Sequence, residues 1–201
     1  MWKVQLRPAS REDVPALMVL VTRASATMAY TLWESVAEGQ DPFAFGMAQI
    51  GLDEGRGSYR NATMAMDGDG ILLGGMITYP VDDAMVSPAE WEGAHETLAP
   101  ISELVRGAHG ALYVDSIAVF PEAEGRGAGR ALLKAAFNEA RARHGGRTAL
   151  VVAESNHRAV RLYQKLGFRV MDRRPIIPWP HCPFDGDWLL MVRHKRGHRR
   201  R

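Results

Sequence analysis

The fold of this chain is decided by residues 112–133, which read LYVDSIAVFPEAEGRGAGRALL. The first part, Leu112 to Phe120, is apolar and predicts a strand. Glycines follow at alternate positions (125, 127 and 129), and an apolar pattern of helical spacing then predicts a helix from Gly129 to His144. The chain is therefore expected to run from a strand through a glycine-rich turn into a helix.

The glycine-rich turn is a candidate anion site. Glycine lets the backbone turn sharply and approach a ligand closely, and the first N–H groups of a helix have no partner inside it. These features suit a pyrophosphate, to which Arg126 and Arg130 would add charge-assisted contacts. The spacing excludes the G-x-G-x-x-G dinucleotide fingerprint and the Gly-Lys-Ser/Thr phosphate loop. On glycine spacing alone, a turn that binds nothing stays equally open.

A second informative stretch is formed by residues 156–168, which read NHRAVRLYQKLGF. Asn156 at a predicted N-cap and Gly167 at a predicted C-cap indicate a helix between them. Tyr163 lies on this helix, with Leu162 and Leu166 expected to pack beneath it. Taken alone, the pattern is typical of a plain amphipathic helix with a tyrosine at its boundary.

The remaining pattern predicts one domain of alternating strands and helices. Further strands are predicted at residues 4–7, 62–66, 71–79, 149–153, 168–171 and 188–192. Further helices are predicted from Ser10 to about Ala26 and, as two short helices, within residues 31–50. Pro80 to Gly110 is interpreted as an insertion rather than a core element, with a weak helix near Pro100 to Val105. The expected class is α/β, a mixed sheet flanked by helices over residues 1–192.

Together, residues 112–168 resemble the GNAT superfamily of N-acetyltransferases. The cofactor motif of that family, Arg/Gln-x-x-Gly-x-Gly/Ala, is matched at both glycines of residues 124–129, with Glu124 where Arg or Gln is usual. Its second signature is matched by the following residues: Asn156, Ala159, Leu162, Tyr163, Lys165, Gly167 and Phe168. The resemblance implies a sheet of about six to seven strands, splayed in the middle for coenzyme A.

The resemblance also implies an activity and a cosubstrate. It implies an N-acetyltransferase that moves an acetyl group from acetyl-CoA to a primary amine of a small molecule, peptide or protein by direct attack. Backbone groups of β-strand residues Ile117, Ala118 and Val119 are expected to pair with pantetheine. The other implied cofactor-binding residues are Gly125, Arg126, Gly127, Ala128, Gly129, Arg130, Asn156 and Tyr163.

Two residues are the catalytic candidates. Tyr163 matches the position that the family uses as general acid for the departing thiolate. The resemblance also implies a cleft-facing position at Ile117, where many relatives carry a glutamate. Asp115 lies two residues before it, and strand alternation places Asp115, Ile117 and Val119 on one face, so Asp115 is the candidate general base. An Asp115 that only makes a structural hydrogen bond is an equal alternative, and Glu154 is a weaker substitute.

Composition limits the other possibilities. About 46% of the residues are apolar and 24% are charged, which is typical of a globular protein. No apolar run approaches the roughly 20 residues that cross a bilayer, so no membrane partner is expected. Cys182 is the only cysteine, which predicts a reducing, cytoplasmic location. One neighbouring Cys-His pair is half a metal site, so no metal is predicted.

The basic C-terminal tail, residues 193–201, leaves two rival functions to consider. It carries six positive charges in a chain whose formal net charge is +2. A short terminal charge run is more often solvated than bound to nucleic acid, so a nucleic-acid-associated protein is the less favoured alternative. A non-catalytic coenzyme A-binding sensor is the other rival. A homodimer stays open.

Overall fold

The computed structural model describes residues 3–194 and contains seven strands and seven α-helices within them. The strands are β1 (Gln5–Pro8), β2 (Ala62–Met66), β3 (Leu72–Pro80), β4 (Leu112–Val119), β5 (Thr148–Ala153), β6 (Arg169–Pro175) and β7 (Asp187–Arg193). The helices are α1 (Val14–Ala24), α2 (Met28–Val36), α3 (Pro42–Ile50), α4 (Asp83–Val86), α5 (Ala99–Arg106), α6 (Ala128–Arg143) and α7 (His157–Lys165). The predicted α/β class with a mixed seven-stranded sheet is confirmed. The basic tail from Lys195 onward lies outside the described residues.

The chain forms two compact units. The first contains residues 3–79, 114–135 and 179–183, and the second contains residues 80–113, 136–178 and 184–194. The chain passes from one unit to the other inside β4 and again inside α6.

The first unit orders its strands β1-β2-β3-β4. β1 and β2 are antiparallel, with Gln5 opposite Met66, and β2 and β3 form the predicted hairpin. The Asp67 carboxylate closes that hairpin by accepting the N–H groups of Asp69 and Ile71, each at 3.0 Å. The core of the first unit is apolar, and it contains the fully buried side chains of Leu17, Leu20, Met64, Leu73 and Ile77. Burial of these side chains holds α1 against the strands.

The entry into α1 is fixed by an ion pair between the buried Asp13 and the partly exposed Arg7. The predicted helix from Ser10 begins with a 3-10 turn at Arg11–Asp13, and α1 itself starts at Val14. Asp13 accepts two hydrogen bonds from the Arg7 guanidinium, at 2.6 and 2.8 Å, and one from the Ser10 N–H at 2.7 Å. The hydrogen bonds from Arg7 are the main reason why the pKa of Asp13 falls to about 2.

We expect Asp13→Asn to cost about 2 kcal/mol of unfolding free energy at pH 7. The folded-state pKa of Asp13 lies below the ordinary value, so its contribution is present above pH 4 and is lost as the pH falls toward 2. Urea unfolding at pH 7 and at pH 2.5 measures this difference. Asp53→Asn, which removes an exposed carboxylate paired with Arg11 and Arg60, is the control and should lower stability less than Asp13→Asn does, because exposed ion pairs contribute little. Equal losses in the two variants would refute the assignment.

The second unit orders its strands β4-β5-β7-β6. β4 and β5 are parallel, with Leu112 opposite Thr148, whereas β7 is antiparallel to both β5 and β6. The sequence predicted no core element between Pro80 and Gly110, yet Leu104 and Val105 of α5 are fully buried in this unit. The helix is short but amphipathic, so one face packs inward. The domain boundaries themselves stay a prediction.

Candidate active site

The glycine-rich turn has the backbone geometry of an anion site. Gly125 and Gly127 adopt φ values of 79° and 90°, a left-handed region that favours glycine. α6 begins directly afterwards, at Ala128. Its first helical hydrogen bond is donated by the Ala131 N–H to the Gly127 carbonyl, at 3.0 Å. The N–H groups at 128–130 therefore have no partner in the preceding helical turn. Because Gly125, Gly127 and Arg130 are also exposed, a diphosphate fits this position.

The β4 backbone before the turn is irregular. The Val81 N–H bonds to the Ala111 carbonyl, and the Phe120 N–H bonds to the Leu73 carbonyl. Residues 111–120 therefore lie opposite residues 73–81, which are one fewer, so the pairing between these segments is irregular. A Cβ at Gly74 would overlap the Ala118 carbonyl oxygen and would lie 2.9 Å from the Val119 Cα. The β4 backbone at Ala118 and Val119 therefore lies directly over Gly74. Pairing of this segment with pantetheine stays a prediction.

Gly74→Ala should lower stability by about 1 to 3 kcal/mol, because its new methyl group meets rigid backbone. Gly75→Ala is the matched control on the next residue. Its methyl group would contact the ends of the Leu20 and Met64 side chains at 3.1 Å, and these can move. Urea unfolding of the two variants should show the larger loss at Gly74. A smaller loss at Gly74 than at Gly75 would contradict this description of β4.

Asp115, the candidate base, is exposed on β4 with both carboxylate oxygens hydrogen-bonded. The Tyr79 hydroxyl donates to Oδ1 at 2.7 Å, and the Ser116 hydroxyl donates to Oδ2 at 2.9 Å. Tyr79 is buried at the end of β3, so it fixes the orientation of the carboxylate. Sequence reasoning missed Tyr79, whose position in an apolar strand gave no signal beyond packing.

A shallow apolar depression too narrow to admit a water molecule lies beside this strand in the first unit. Leu17 and Leu20 of α1 form one wall, and Gly75, Ser116 and Ala118 belong to the opposite strands.

A second missed contact joins Glu124 to α1. Arg23, in the last turn of that helix, donates from Nη2 to Glu124 Oε1 at 2.7 Å. Glu124 is the residue directly before the glycine turn, where a carboxylate alone would repel phosphate. The ion pair offsets that charge.

A third contact that the sequence did not predict is made by Trp179, in the connection between β6 and β7. Trp179 is buried, and its indole N–H donates to the Ala26 carbonyl at 3.2 Å. Ala26 and Thr27 have φ values of 48° and 72°, which are strained for residues with a side chain. The contact fixes the link between α1 and α2 within the first unit.

The second unit contains the other two predicted site residues. Asn156 caps α7 as expected, its side-chain oxygen accepting the Ala159 N–H at 3.2 Å. Tyr163 is buried against Phe168, with ring centroids 5.7 Å apart. Burial raises the pKa of the Tyr163 phenol to about 12. The phenol therefore holds its proton at neutral pH and can donate it, although as a weaker acid than free tyrosine.

The weaker base candidate, Glu154, forms an ion pair with Arg173. The Arg173 guanidinium lies 3.5 Å from the carboxylates of both Glu154 and Asp187. Among residues 3–194, no group of three or more His, Cys, Asp or Glu side chains could hold a metal ion. No helix in that range is long and apolar enough to span a bilayer.

Comparison with known families identifies the chain. The model of the Acetyltransferase (GNAT) family matches residues 40–168, more than half of the sequence. The chain therefore belongs to the GNAT acetyltransferase family, as the two sequence signatures predicted. A search of curated proteins returns no match.

Several solved structures share this fold. A GCN5-related N-acetyltransferase from Kribbella flavida is 25% identical, with a TM-score of 0.61, and the match covers 96% of this chain and 98% of that one. A protein from Corynebacterium glutamicum ATCC 13032, described as histone acetyltransferase HPA2 and related acetyltransferase, is 20% identical, with a TM-score of 0.63 and coverage of 98% of both chains. An N-acetyltransferase from Staphylococcus aureus Mu50 is 17% identical, with a TM-score of 0.62 and coverage of 94% and 99%.

Family membership supports acetyl transfer as the general activity, with acetyl-CoA as the cosubstrate. The first unit brings together Asp115, the β4 segment 117–119 and the turn 125–130. Asn156 and Tyr163 lie in the second unit.

Proposed function

We propose that this protein transfers an acetyl group from acetyl-CoA to a primary amine of a small molecule, peptide or protein. The observation that carries the proposal is the turn before α6, where two glycines of positive φ precede the N-terminus of a 16-residue helix. Acetyl-CoA would supply a thioester carbonyl that is activated toward amines. The acceptor amine itself is not specified by these features.

The turn would hold the cofactor by its phosphates. The N–H groups of Ala128, Gly129 and Arg130 are the donors without a partner in the preceding helical turn, and the helix dipole favours an anion there. Arg126 and Arg130 would add charge. The β4 segment Ile117 to Val119 would offer backbone groups to the pantetheine amides.

Asp115 would prepare the acceptor. An alkyl ammonium is mostly protonated at pH 7 and must lose a proton before its nitrogen can attack. The Asp115 carboxylate is exposed and fixed in orientation by Tyr79 and Ser116, so it can accept that proton directly or through water. It also attracts a cationic amine.

Tyr163 would protonate the departing thiolate. Its phenol is protonated at neutral pH, as an ordinary phenol is, and burial raises its pKa to about 12 and so keeps the proton in place at alkaline pH as well. A buried phenol also keeps water from the reacting groups. The helix that carries it is fixed by the Asn156 cap at one end.

One assay tests the proposal as a whole. Purified protein is mixed with acetyl-CoA and a panel of polyamines, amino acids, aminoglycosides and lysine peptides, and free thiol is followed with time. Amine-dependent thiol release is the expected result. Coenzyme A binding by calorimetry without release on any amine would favour the non-catalytic sensor instead.

A further inference from the structure

A carboxylate stands directly before the turn that is proposed to bind a diphosphate. Glu124 is one residue from Gly125, and its side chain is about one-third exposed (32%). A bare carboxylate at this place would oppose binding of an anion. A compensating group is therefore needed if the turn takes a phosphate.

Arg23 supplies that group from a distant part of the sequence. Its Nη2 lies 2.7 Å from Glu124 Oε1, although 101 residues separate the two in sequence. Its side chain is 42% exposed. Within the described part of the chain, Glu124 is the side-chain partner of this guanidinium. The guanidinium has five donors in a planar fork, so contact with one carboxylate leaves others available for an oxyanion.

We propose that Arg23 is a further coenzyme A-binding residue, held at the turn by Glu124 so that its guanidinium contacts a phosphate oxygen of the cofactor. The inference rests on the proposed function. It assigns Glu124 a positioning role: the carboxylate holds Arg23 on one side while phosphate occupies the other. Bidentate and bridging contacts of this kind are characteristic of arginine and poorly reproduced by lysine.

The alternative is that Arg23 only neutralises Glu124, and a single substitution cannot separate the two roles. Arg23→Gln would expose the Glu124 carboxylate and weaken binding in either case. The informative comparison is between Glu124→Gln and the double variant Arg23→Gln/Glu124→Gln. Neither protein contains the carboxylate, and they differ only in the guanidinium. Glu124→Gln keeps the side-chain Oε1 acceptor, so it can still accept the hydrogen bond that holds Arg23 at the turn.

Isothermal titration with coenzyme A is the measurement. We expect the double variant to bind about tenfold more weakly than Glu124→Gln, and 3′-dephospho-coenzyme A to show the same loss if the diphosphate is the contacted group. A difference below twofold for coenzyme A would overturn the proposal. A loss for coenzyme A that disappears with 3′-dephospho-coenzyme A would still support Arg23 and would assign it to the 3′-phosphate.

Two controls distinguish failure of the role proposed for Arg23 from failure of the proposed function. Arg11→Gln removes another exposed arginine of the first unit, paired with Asp53 at 2.9 Å, and should leave coenzyme A affinity unchanged. Thermal unfolding of each variant checks that the fold is retained. Absence of binding by the unaltered protein would refute the proposed function, whereas binding by the unaltered protein together with equal affinities of Glu124→Gln and the double variant would refute the role of Arg23 alone.

Discussion

Replacing Gly127 with valine is expected to weaken acetyl-CoA binding about a hundredfold, or about 2.7 kcal/mol. Gly127 has a φ of 90°, which a β-branched residue adopts only at a cost of about 1 to 3 kcal/mol. No atom lies within 4 Å of a Cβ built at this position, so the side chain fits without a collision. The turn would therefore survive in a shifted conformation, with its N–H groups no longer aimed at one anion. Isothermal titration of acetyl-CoA measures the loss.

Gly70→Val is the matched control for this experiment. Gly70 has a φ of 84° in the β2–β3 hairpin, and no atom lies within 4 Å of its Cβ position either. Both substitutions should lower stability by a similar amount, but only the one at Gly127 should affect acetyl-CoA. Unchanged affinity in Gly127→Val would show that the turn does not hold the cofactor.

The central elements could be predicted from sequence because their signals are local. The strand predicted from Leu112 to Phe120 is observed at Leu112–Val119, and the helix predicted from Gly129 to His144 is observed at Ala128–Arg143. The spacing of apolar residues identifies the strand and the helix, and the glycines between them mark where the strand ends and the helix begins. The same local logic located the Asn156 cap, since an N-cap asparagine bonds to an N–H only three residues away.

β6 is a strand whose end the pattern of apolar residues does not predict. The prediction ended this strand at Met171, but it continues to Pro175. It is the last strand in the order of the second unit and is exposed along nearly its whole length, so its charged residues need no alternation with apolar ones. An edge strand tolerates charges that would end a buried one, and its bulge next to Met171 further breaks the pattern.

The contacts that complete the candidate site could not be predicted, because each joins distant residues. Tyr79 and Asp115 are 36 residues apart, and Trp179 and Ala26 are 153 apart. Each partner alone fits an ordinary role: a tyrosine in an apolar strand, or a tryptophan in a proline-rich loop. Only folding brings the donor to its acceptor. One clue to a missing partner was Glu124, since an acid beside an anion site implies a nearby cation.

Removing only the hydroxyl of Tyr163 is expected to reduce turnover by about 10²- to 10⁴-fold. In Tyr163→Phe the ring would still pack on Phe168, so acetyl-CoA affinity and the fold should be retained. Steady-state kinetics with an accepted amine, together with titration of acetyl-CoA, measures the two quantities separately. Turnover within about twofold of the unaltered enzyme would reduce Tyr163 to a packing residue, provided that a pre-steady-state burst shows no slow product release.

The pH dependence gives Tyr163 a second, independent signature. Burial raises its pKa from 10 to about 12, so between these values the unfolded chain loses the phenolic proton before the folded chain does. This favours unfolding, and the unaltered protein should therefore lose up to about 3 kcal/mol of stability as the pH rises from 10 to 12, relative to Tyr163→Phe. Below pH 10 the difference between the two proteins should be constant. Turnover, for the same reason, should show no alkaline loss from Tyr163 until the pH exceeds 10, because the protonated phenol is the donor. Urea unfolding at pH 8 and pH 11 tests the first expectation, and parallel curves for the two proteins over that range would mean that the hydroxyl is solvated rather than buried at the candidate site.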